Sequence, residues 1–77
     1  MQVFVQLLTG NYIIVEVNNE DTINTLFQKI AEKEDIHPEQ LRVIFRGKQL
    51  YPDKTIADYE ITHGSTIYLY MRLLGGH

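Results

Sequence analysis

The sequence of 77 residues contains no cysteine, only two prolines and no run of like charges. Without cysteine, the chain can form neither a disulfide framework nor a thiolate metal site, and it has no thiol for nucleophilic catalysis. Its net charge of −3 disfavours nucleic acid as the main partner, because binding to phosphates needs a basic face. Stability must therefore come from packing the 44% of residues that are hydrophobic.

Long apolar segments are also missing. No stretch approaches the roughly 20 apolar residues that a membrane span needs, and the first four residues lack the basic start of a signal peptide. We therefore expect a soluble monomer that has no membrane partner. The lack of cysteine agrees with a reducing cytoplasmic or nuclear location.

Two segments near the start of the chain alternate with the period of half-buried strands. The inward positions are Val3, Val5 and Leu7 in residues 2–7, and Ile13, Val15 and Val17 in residues 12–17. Gly10 lies between the segments and supplies a positive φ, so the pattern predicts a β-hairpin. Its outer face then carries Phe4, Tyr12 and Ile14.

A helical period follows the hairpin. Ile23, Leu26, Phe27 and Ile30 recur at i, i+3, i+4 and i+7, which predicts a helix of about three turns that ends near Glu34. Asp21 or Thr22 can cap its start. Asp35 stands where glycine would best adopt the left-handed cap, and Pro38 prevents continuation.

Strand patterns return in the second half of the chain. Residues 40–45 and 66–72 alternate, residues 48–50 form a short return strand after a turn at Arg46 and Gly47, and Thr55 can cap a brief helical turn. One helix among several strands predicts an α+β domain with a mixed sheet covered on one face.

The last residues, Arg72 to His77, are unusual because Gly75 and Gly76 follow the final strand pattern directly. Paired glycines normally serve turns, and here only one residue follows them. An extended Gly-Gly segment can pass through a narrow cleft without side-chain clashes. Two interpretations follow: an idle terminus, or a carboxyl end that is itself the working part.

The chain resembles ubiquitin without a gap from residue 1 to residue 76, at about every second residue. The matching residues are Met1, Gln2, Phe4, Val5, Leu8, Thr9, Gly10, Asp21, Thr22, Ile23, Lys33, Glu34, Arg42, Ile44, Phe45, Gly47, Lys48, Gln49, Leu50, Asp58, Tyr59, Ser65, Thr66, Arg72, Leu73, Gly75 and Gly76. The resemblance implies a β-grasp domain over residues 1–72 and a flexible C-terminal tail over residues 73–77.

The resemblance also implies a protein modifier that is joined to target lysines through the carboxylate of Gly76. Its partners would be activating, conjugating and ligating enzymes, a protease of the deubiquitinase type, and ubiquitin-binding receptors. Since His77 follows Gly76, the protease would cut between them. Three origins of His77 stay open: a native precursor extension, a residue added for expression, or the start of a longer protein.

Two sets of site residues are implied by the same resemblance. Recognition by the activating enzyme would involve Arg42, Arg72 and Leu73, and arginine at position 72 favours the ubiquitin pathway. Receptors would bind a surface of mainly apolar residues that consists of Leu8, Ile44, Gly47, Lys48, Tyr68 and Tyr70. Exposed apolar and aromatic side chains in one group are typical of an interface, whereas the alternative is scattered surface apolarity.

The resemblance also points to a third set of site residues, the lysines that could link one chain to the next. Lys48 is the first candidate for chain linkage, followed by Lys29 and Lys33, although all three can also be solvated surface charges. Ubiquitin has lysine where this chain has Gln6, Asn11, Phe27 and His63, and a basic residue where it has Leu74. The chain is therefore a diverged relative, and linkage through position 63 is excluded.

Other functions are less well supported by the sequence. The runner-up is a non-conjugated ubiquitin-like domain of a larger protein that docks ubiquitin receptors or the proteasome. No nucleophile and base are arranged for an enzyme, and His37, His63 and His77 lack metal-ligand spacing, so neither a metal nor another cofactor is expected.

Overall fold

A computed structural model describes residues 1–71 of the chain. Its strands are β1 (Gln2–Gln6), β2 (Tyr12–Glu16), β3 (Leu41–Phe45), β4 (Lys48–Gln49) and β5 (Thr66–Met71), and its helix is α1 (Ile23–Glu34). Short 3-10 turns occupy Pro38–Gln40 and Ala57–Tyr59. The predicted domain end at residue 72 and the predicted tail over residues 73–77 lie outside the described residues.

The strands form one mixed sheet in the order β2-β1-β5-β3-β4. β1 and β2 make the predicted antiparallel hairpin, in which Phe4 lies opposite Ile14. β5 lies between β1 and β3, parallel to the first and antiparallel to the second. One helix packed against a mixed sheet is the β-grasp architecture, so the fold predicted from the sequence is confirmed.

α1 buries the predicted apolar stripe of Ile23, Leu26, Phe27 and Ile30 against the sheet. Of the two candidate caps, Thr22 closes the N-terminus, because its Oγ1 accepts a hydrogen bond of 3.2 Å from the Thr25 N–H. The Asp21 carboxylate instead accepts one of 2.9 Å from the Asn18 N–H, which fixes the turn before the helix. Asp35 ends the helix in the left-handed conformation at φ 55°, as predicted.

Strand limits differ slightly from the predicted ones. Gln40, predicted to begin β3, belongs to a 3-10 turn because its N–H donates to the His37 carbonyl over 3.0 Å. Leu50 lies just beyond β4, although its N–H still donates to the Val43 carbonyl over 3.0 Å. Leu7 and Val17, predicted as the last residues of the first two strands, lie one residue beyond β1 and β2. All four prediction errors concern single residues at strand ends, where local alternation does not decide the hydrogen-bond partner.

The core lies between α1 and the inner face of the sheet. Its buried side chains are Val3, Val5, Val15, Val17, Ile23, Leu26, Phe27, Ile30, Leu41, Val43, Phe45, Leu50, Ile56, Ile61, Ile67 and Leu69. Leu7 and Ile13, which the alternation also placed inward, are half-buried at the margin of this core. None of the described residues buries a polar side chain, so the space between the two layers is filled by apolar packing.

Two exposed carboxylates accept hydrogen bonds from nitrogen groups of the main chain. Glu16 accepts a hydrogen bond of 2.8 Å from the Met1 ammonium, and this contact lowers the pKa of its carboxyl. Asp58 accepts one of 2.9 Å from the Thr55 N–H, which lowers the pKa of the Asp58 carboxyl, while Thr55 Oγ1 accepts from the Asp58 N–H over 3.1 Å. The predicted cap at Thr55 is therefore present as a reciprocal pair.

Stability is expected to fall at acid pH through these two groups. A carboxyl whose pKa is lower in the folded chain stabilises the fold above its unfolded pKa, and this contribution is lost as the pH falls through its folded pKa. The melting temperature should therefore decrease from about pH 5 to about pH 2. Calorimetry of a variant with Glu16→Gln and Asp58→Asn should show a shallower decrease.

Glu32→Gln is the control for this prediction, since Glu32 takes part in neither ion pair found among residues 1–71. It should keep the wild-type pH dependence. An equally steep decrease in the double variant and the wild type would contradict the assignment.

Candidate functional site

The predicted patch lies on the outer face of the sheet, opposite α1. Ile44 of β3 pairs with Tyr68 of β5, and Arg42 pairs with Tyr70 in the next row of the same strands. Cross-strand partners share one face of a sheet, so these side chains form one continuous group. We refer to Ile44, Tyr68 and Tyr70 as the outer patch.

Exposure differs among the patch residues. Tyr68 is 51% exposed, whereas Ile44 and Tyr70 are half-buried by their neighbours. Leu8 is 64% exposed in the turn between β1 and β2, where the Gly10 N–H donates to the Leu7 carbonyl over 2.9 Å. Apolar groups held in fixed positions and open to water are typical of a protein-binding surface.

The basic residues around the patch have distinct positions. The side chain of Arg42 is fixed by two backbone carbonyls. Its Nη1 donates to the Leu41 carbonyl over 2.7 Å and to the Glu39 carbonyl over 3.2 Å. Lys48 is exposed and pairs with Phe45, whereas Gln49 lies directly opposite Ile44. The residue of β4 that lies opposite Ile44 is therefore uncharged.

Gly47 forms the turn between β3 and β4, together with Arg46. Both have positive φ, 55° for Arg46 and 77° for Gly47, which suits the tight turn of a two-residue hairpin. The Arg46 guanidinium lies 5.3 Å from the centroid of the Phe45 ring. This turn sets the register that places Gln49 opposite Ile44.

The candidate linkage lysines are not equally accessible. Lys29 Nζ donates to the Glu16 carbonyl over 2.6 Å and lies 3.7 Å from the Asp21 carboxylate. Its amine must leave both contacts before it can react as a nucleophile. Lys33 and Lys48 are exposed, and so is Lys54, which the sequence interpretation did not select.

Other predicted roles are structural. Tyr59, one of the residues shared with ubiquitin, accepts a hydrogen bond of 3.0 Å from the Tyr51 N–H through its hydroxyl. Among residues 1–71, no group of histidine, aspartate and glutamate side chains is placed to hold a metal ion, and no helix is long and apolar enough to cross a membrane.

The tail residues Arg72, Leu73, Gly75, Gly76 and His77, with their predicted roles in recognition, conjugation and processing, lie outside the described residues.

A second exposed apolar group lies on the same face, on the hairpin. Tyr12 is 60% and Ile14 is 49% exposed, and the Tyr12 ring meets the Phe4 ring edge to face with centroids 6.3 Å apart. Sequence alternation had placed these three side chains outward but assigned them no function. Their outward direction could be expected from the pattern, whereas the position of Tyr12 and Ile14 on an edge strand depends on the strand order.

Comparison with known proteins agrees with this architecture. A sequence model of the ubiquitin family matches residues 3–74. The ubiquitin-like protein NEDD8 of Dictyostelium discoideum is 40% identical over 76 residues, which cover 99% of each chain. The NEDD8-like protein RUB1 of Saccharomyces cerevisiae is 38% identical over 77 residues, the whole of both chains. Human ubiquitin-like protein 4A is 32% identical over 74 residues, which cover 96% of this chain and 47% of that protein.

Proposed function

The chain belongs to the ubiquitin family, and we propose that it is conjugated to target lysines through the carboxylate of Gly76 after His77 is removed. Relatives that it matches over the whole length include NEDD8-like proteins, so it is a ubiquitin-like modifier and not an enzyme. The observation that carries the proposal is this whole-length similarity, combined with Gly75 and Gly76 directly after the last strand pattern.

The proposed chemistry belongs to the enzymes of the pathway. A protease first hydrolyses the peptide bond between Gly76 and His77. The Gly76 carboxylate then attacks the α-phosphate of ATP, which gives an acyl adenylate and pyrophosphate. An enzyme thiolate displaces AMP to form a thioester, and a target lysine amine displaces the thiol to form an isopeptide bond. Glycines suit this route because a Cβ would obstruct the enclosed channel around the carbonyl.

Receptors are proposed to bind through the outer patch, with Leu8 as an adjacent anchor. The exposed phenol ring of Tyr68 beside half-buried Ile44 supports this assignment, because rigid aromatic area in a preformed group is what interface anchors provide. Lys48, the first residue of β4 in the hairpin of β3 and β4, remains the first proposed linkage site. Lys33 follows it, and Lys29 ranks last because its amine is already bound.

The proposed pathway can be tested by thioester formation. The chain ending at Gly76 would be incubated with ATP and either a ubiquitin-activating enzyme or the activating enzyme of a NEDD8-like relative. We expect a thioester that reductant removes, and the full chain ending at His77 should form it only after protease treatment. A Gly76→Ala variant is the matched control and should be loaded poorly.

The choice of enzyme tests the proposed role of Arg72. Loading by the ubiquitin-activating enzyme, lost in an Arg72→Ala variant, would support assignment to the ubiquitin pathway. If only the NEDD8-type enzyme loads the chain, the role given to Arg72 is overturned. The proposal that the chain is conjugated would still stand. Absence of a thioester with both enzymes would contradict conjugation itself.

A second candidate function rests on one observation. The match to human ubiquitin-like protein 4A covers only 47% of that protein, so this domain type also occurs within longer chains. A docking domain of that kind would bind receptors through the outer patch without being activated. It becomes the better account if no thioester forms while receptor binding persists.

A further inference from the structure

His63 lies in a turn that is bound to the start of β1. The Gln2 N–H donates to His63 Nδ1 over 3.2 Å, across 61 positions of the chain. The Gly64 N–H donates in return to the Gln2 carbonyl over 2.8 Å. The first of these two bonds needs the imidazole of His63, whereas the second joins two main-chain groups.

The imidazole of His63 accepts this hydrogen bond only while its Nδ1 carries no proton. A neutral imidazole has one N–H donor and one acceptor nitrogen, whereas both nitrogens of the protonated ring are donors. Protonation of the ring therefore places a second donor against the Gln2 N–H and breaks the bond. Histidine is the residue type whose charge ordinarily changes between pH 5 and pH 8, so the bond is sensitive to pH in the physiological range.

The charged groups near this contact oppose one another. Those that line one groove with Gln2 are Glu16, Lys29, Glu32 and Lys33. The Glu16 carboxylate is paired with the Met1 ammonium at 2.8 Å. The Met1 ammonium chiefly, and the charge of His63 in part, lower the pKa of the Glu16 carboxyl, so Glu16 lies close to the ring and stays mainly ionised at pH 5. Because a paired cation and anion act on a third charge with opposite signs, the bond to Gln2 is the interaction that protonation reverses.

The turn that carries His63 is closed within itself. The Thr62 N–H donates to Ser65 Oγ over 3.0 Å, and the Ser65 N–H donates to the Thr62 carbonyl over 3.0 Å. Gly64 has φ 85°, in the left-handed region that favours glycine. The Phe4 N–H donates to the Ser65 carbonyl over 2.9 Å and is the next link between the turn and β1. Loss of the bond to His63 thus leaves the turn intact and confines the loosening to the end of β1 before Phe4.

We propose that His63 is a pH-dependent latch on the start of β1. The neutral ring holds the turn against the strand, and protonation releases the Gln2 N–H and loosens the bond between Gln2 and Gly64. Gly64 is among the residues that line a space of about 400 Å³ beside the Phe4 ring on the outer face of the sheet. Release therefore changes one wall of an exposed apolar surface. The latch depends neither on conjugation nor on the outer patch.

NMR of the labelled chain between pH 7 and pH 5 tests the latch. The amide proton of Gln2 should shift with the same midpoint as the imidazole protons of His63. After correction for intrinsic exchange rates, the Gln2 and Gly64 amides should exchange about threefold or more faster at pH 5 than at pH 7, the change that one lost hydrogen bond produces. The Phe4 amide, which is bound to the Ser65 carbonyl, is the internal reference and should keep its protection.

Two variants separate the charge of the ring from its hydrogen bond. In His63→Gln, the amide oxygen can accept from the Gln2 N–H but does not titrate, so the protection of Gln2 should be equal at both pH values. His63→Ala lacks the acceptor, and its Gln2 amide should exchange at both pH values as it does in the wild type at pH 5. His37→Gln is the matched control, because His37 is exposed in the segment after α1, and it should keep the wild-type response.

The proposal is overturned if the Gln2 amide shift does not follow the titration of His63, or if Gln2 and Gly64 exchange equally fast at pH 5 and pH 7. A full pH response in His63→Gln would also overturn it, since the response would then come from another group. Equal loss of protection at Phe4 would show that acid loosens the whole strand pair, which contradicts a latch limited to the start of β1.

Discussion

Replacement of Ile30 by alanine is expected to lower the free energy of unfolding by about 2–5 kcal/mol. Ile30 lies in the middle of α1, is fully buried, and belongs to the single core between helix and sheet. The substitution removes three carbon atoms and leaves a cavity that the rigid sheet cannot fill. Since small domains have only about 5–15 kcal/mol of stability in total, this loss is a large part of the whole.

Urea unfolding followed by circular dichroism would measure the effect of Ile30→Ala. Gln28→Ala is the matched control, since Gln28 is exposed on the same helix and alanine is a strong helix former. The control should change stability by less than about 0.5 kcal/mol. A loss below about 1 kcal/mol for Ile30→Ala would contradict the assignment of α1 as the main cover of the core.

The local parts of this fold could be predicted because each is specified by neighbours along the chain. The helix follows from its apolar stripe and from the stop between Asp35 and Pro38. The first hairpin follows from alternation on both sides of Gly10. The choice between Asp21 and Thr22 as helix cap could not be made from the sequence, because both residue types cap helices and the decision depends on which backbone N–H each oxygen meets.

The candidate site was predictable where it depends on alternation and less so where it depends on register. Outward alternation placed Ile44, Tyr68 and Tyr70 together, and the strand pairing agrees with that placement. The position of Gln49 opposite Ile44 depends on the turn at Arg46 and Gly47. A different turn length would have changed that neighbour without changing the sequence pattern.

Long-range contacts gave no signal in the sequence. Lys29 reaches the Glu16 carbonyl across 13 positions of the chain, because α1 crosses the sheet beside the end of β2. The position of Tyr12 and Ile14 on an edge strand is likewise set by the strand order, in which β2 pairs only with β1. Both features depend on how distant segments meet, which the local sequence pattern does not specify.

Ile44→Ala is expected to weaken receptor binding by about 30-fold or more, the loss typical of a central anchor in a protein interface. Ile44 is half-buried and lies opposite Tyr68, so the substitution removes the apolar centre of the outer patch while the backbone at this position stays paired within β3. The loss of fold stability should be only about 1 kcal/mol, because the side chain is outside the main core. Titration of a ubiquitin-binding receptor domain, followed by NMR of the labelled chain, measures the affinity and locates the contact.

The control for the outer patch is Ile14→Ala. Ile14 has the same side chain on the same face of the sheet, but it pairs with Phe4 on the hairpin and not with the residues of the patch. Its variant should bind the receptor domain as the wild type does, with shift changes still centred on Ile44, Tyr68 and Tyr70. If Ile44→Ala binds with wild-type affinity, or if the shift changes centre on Ile14, the receptor surface lies elsewhere on the sheet.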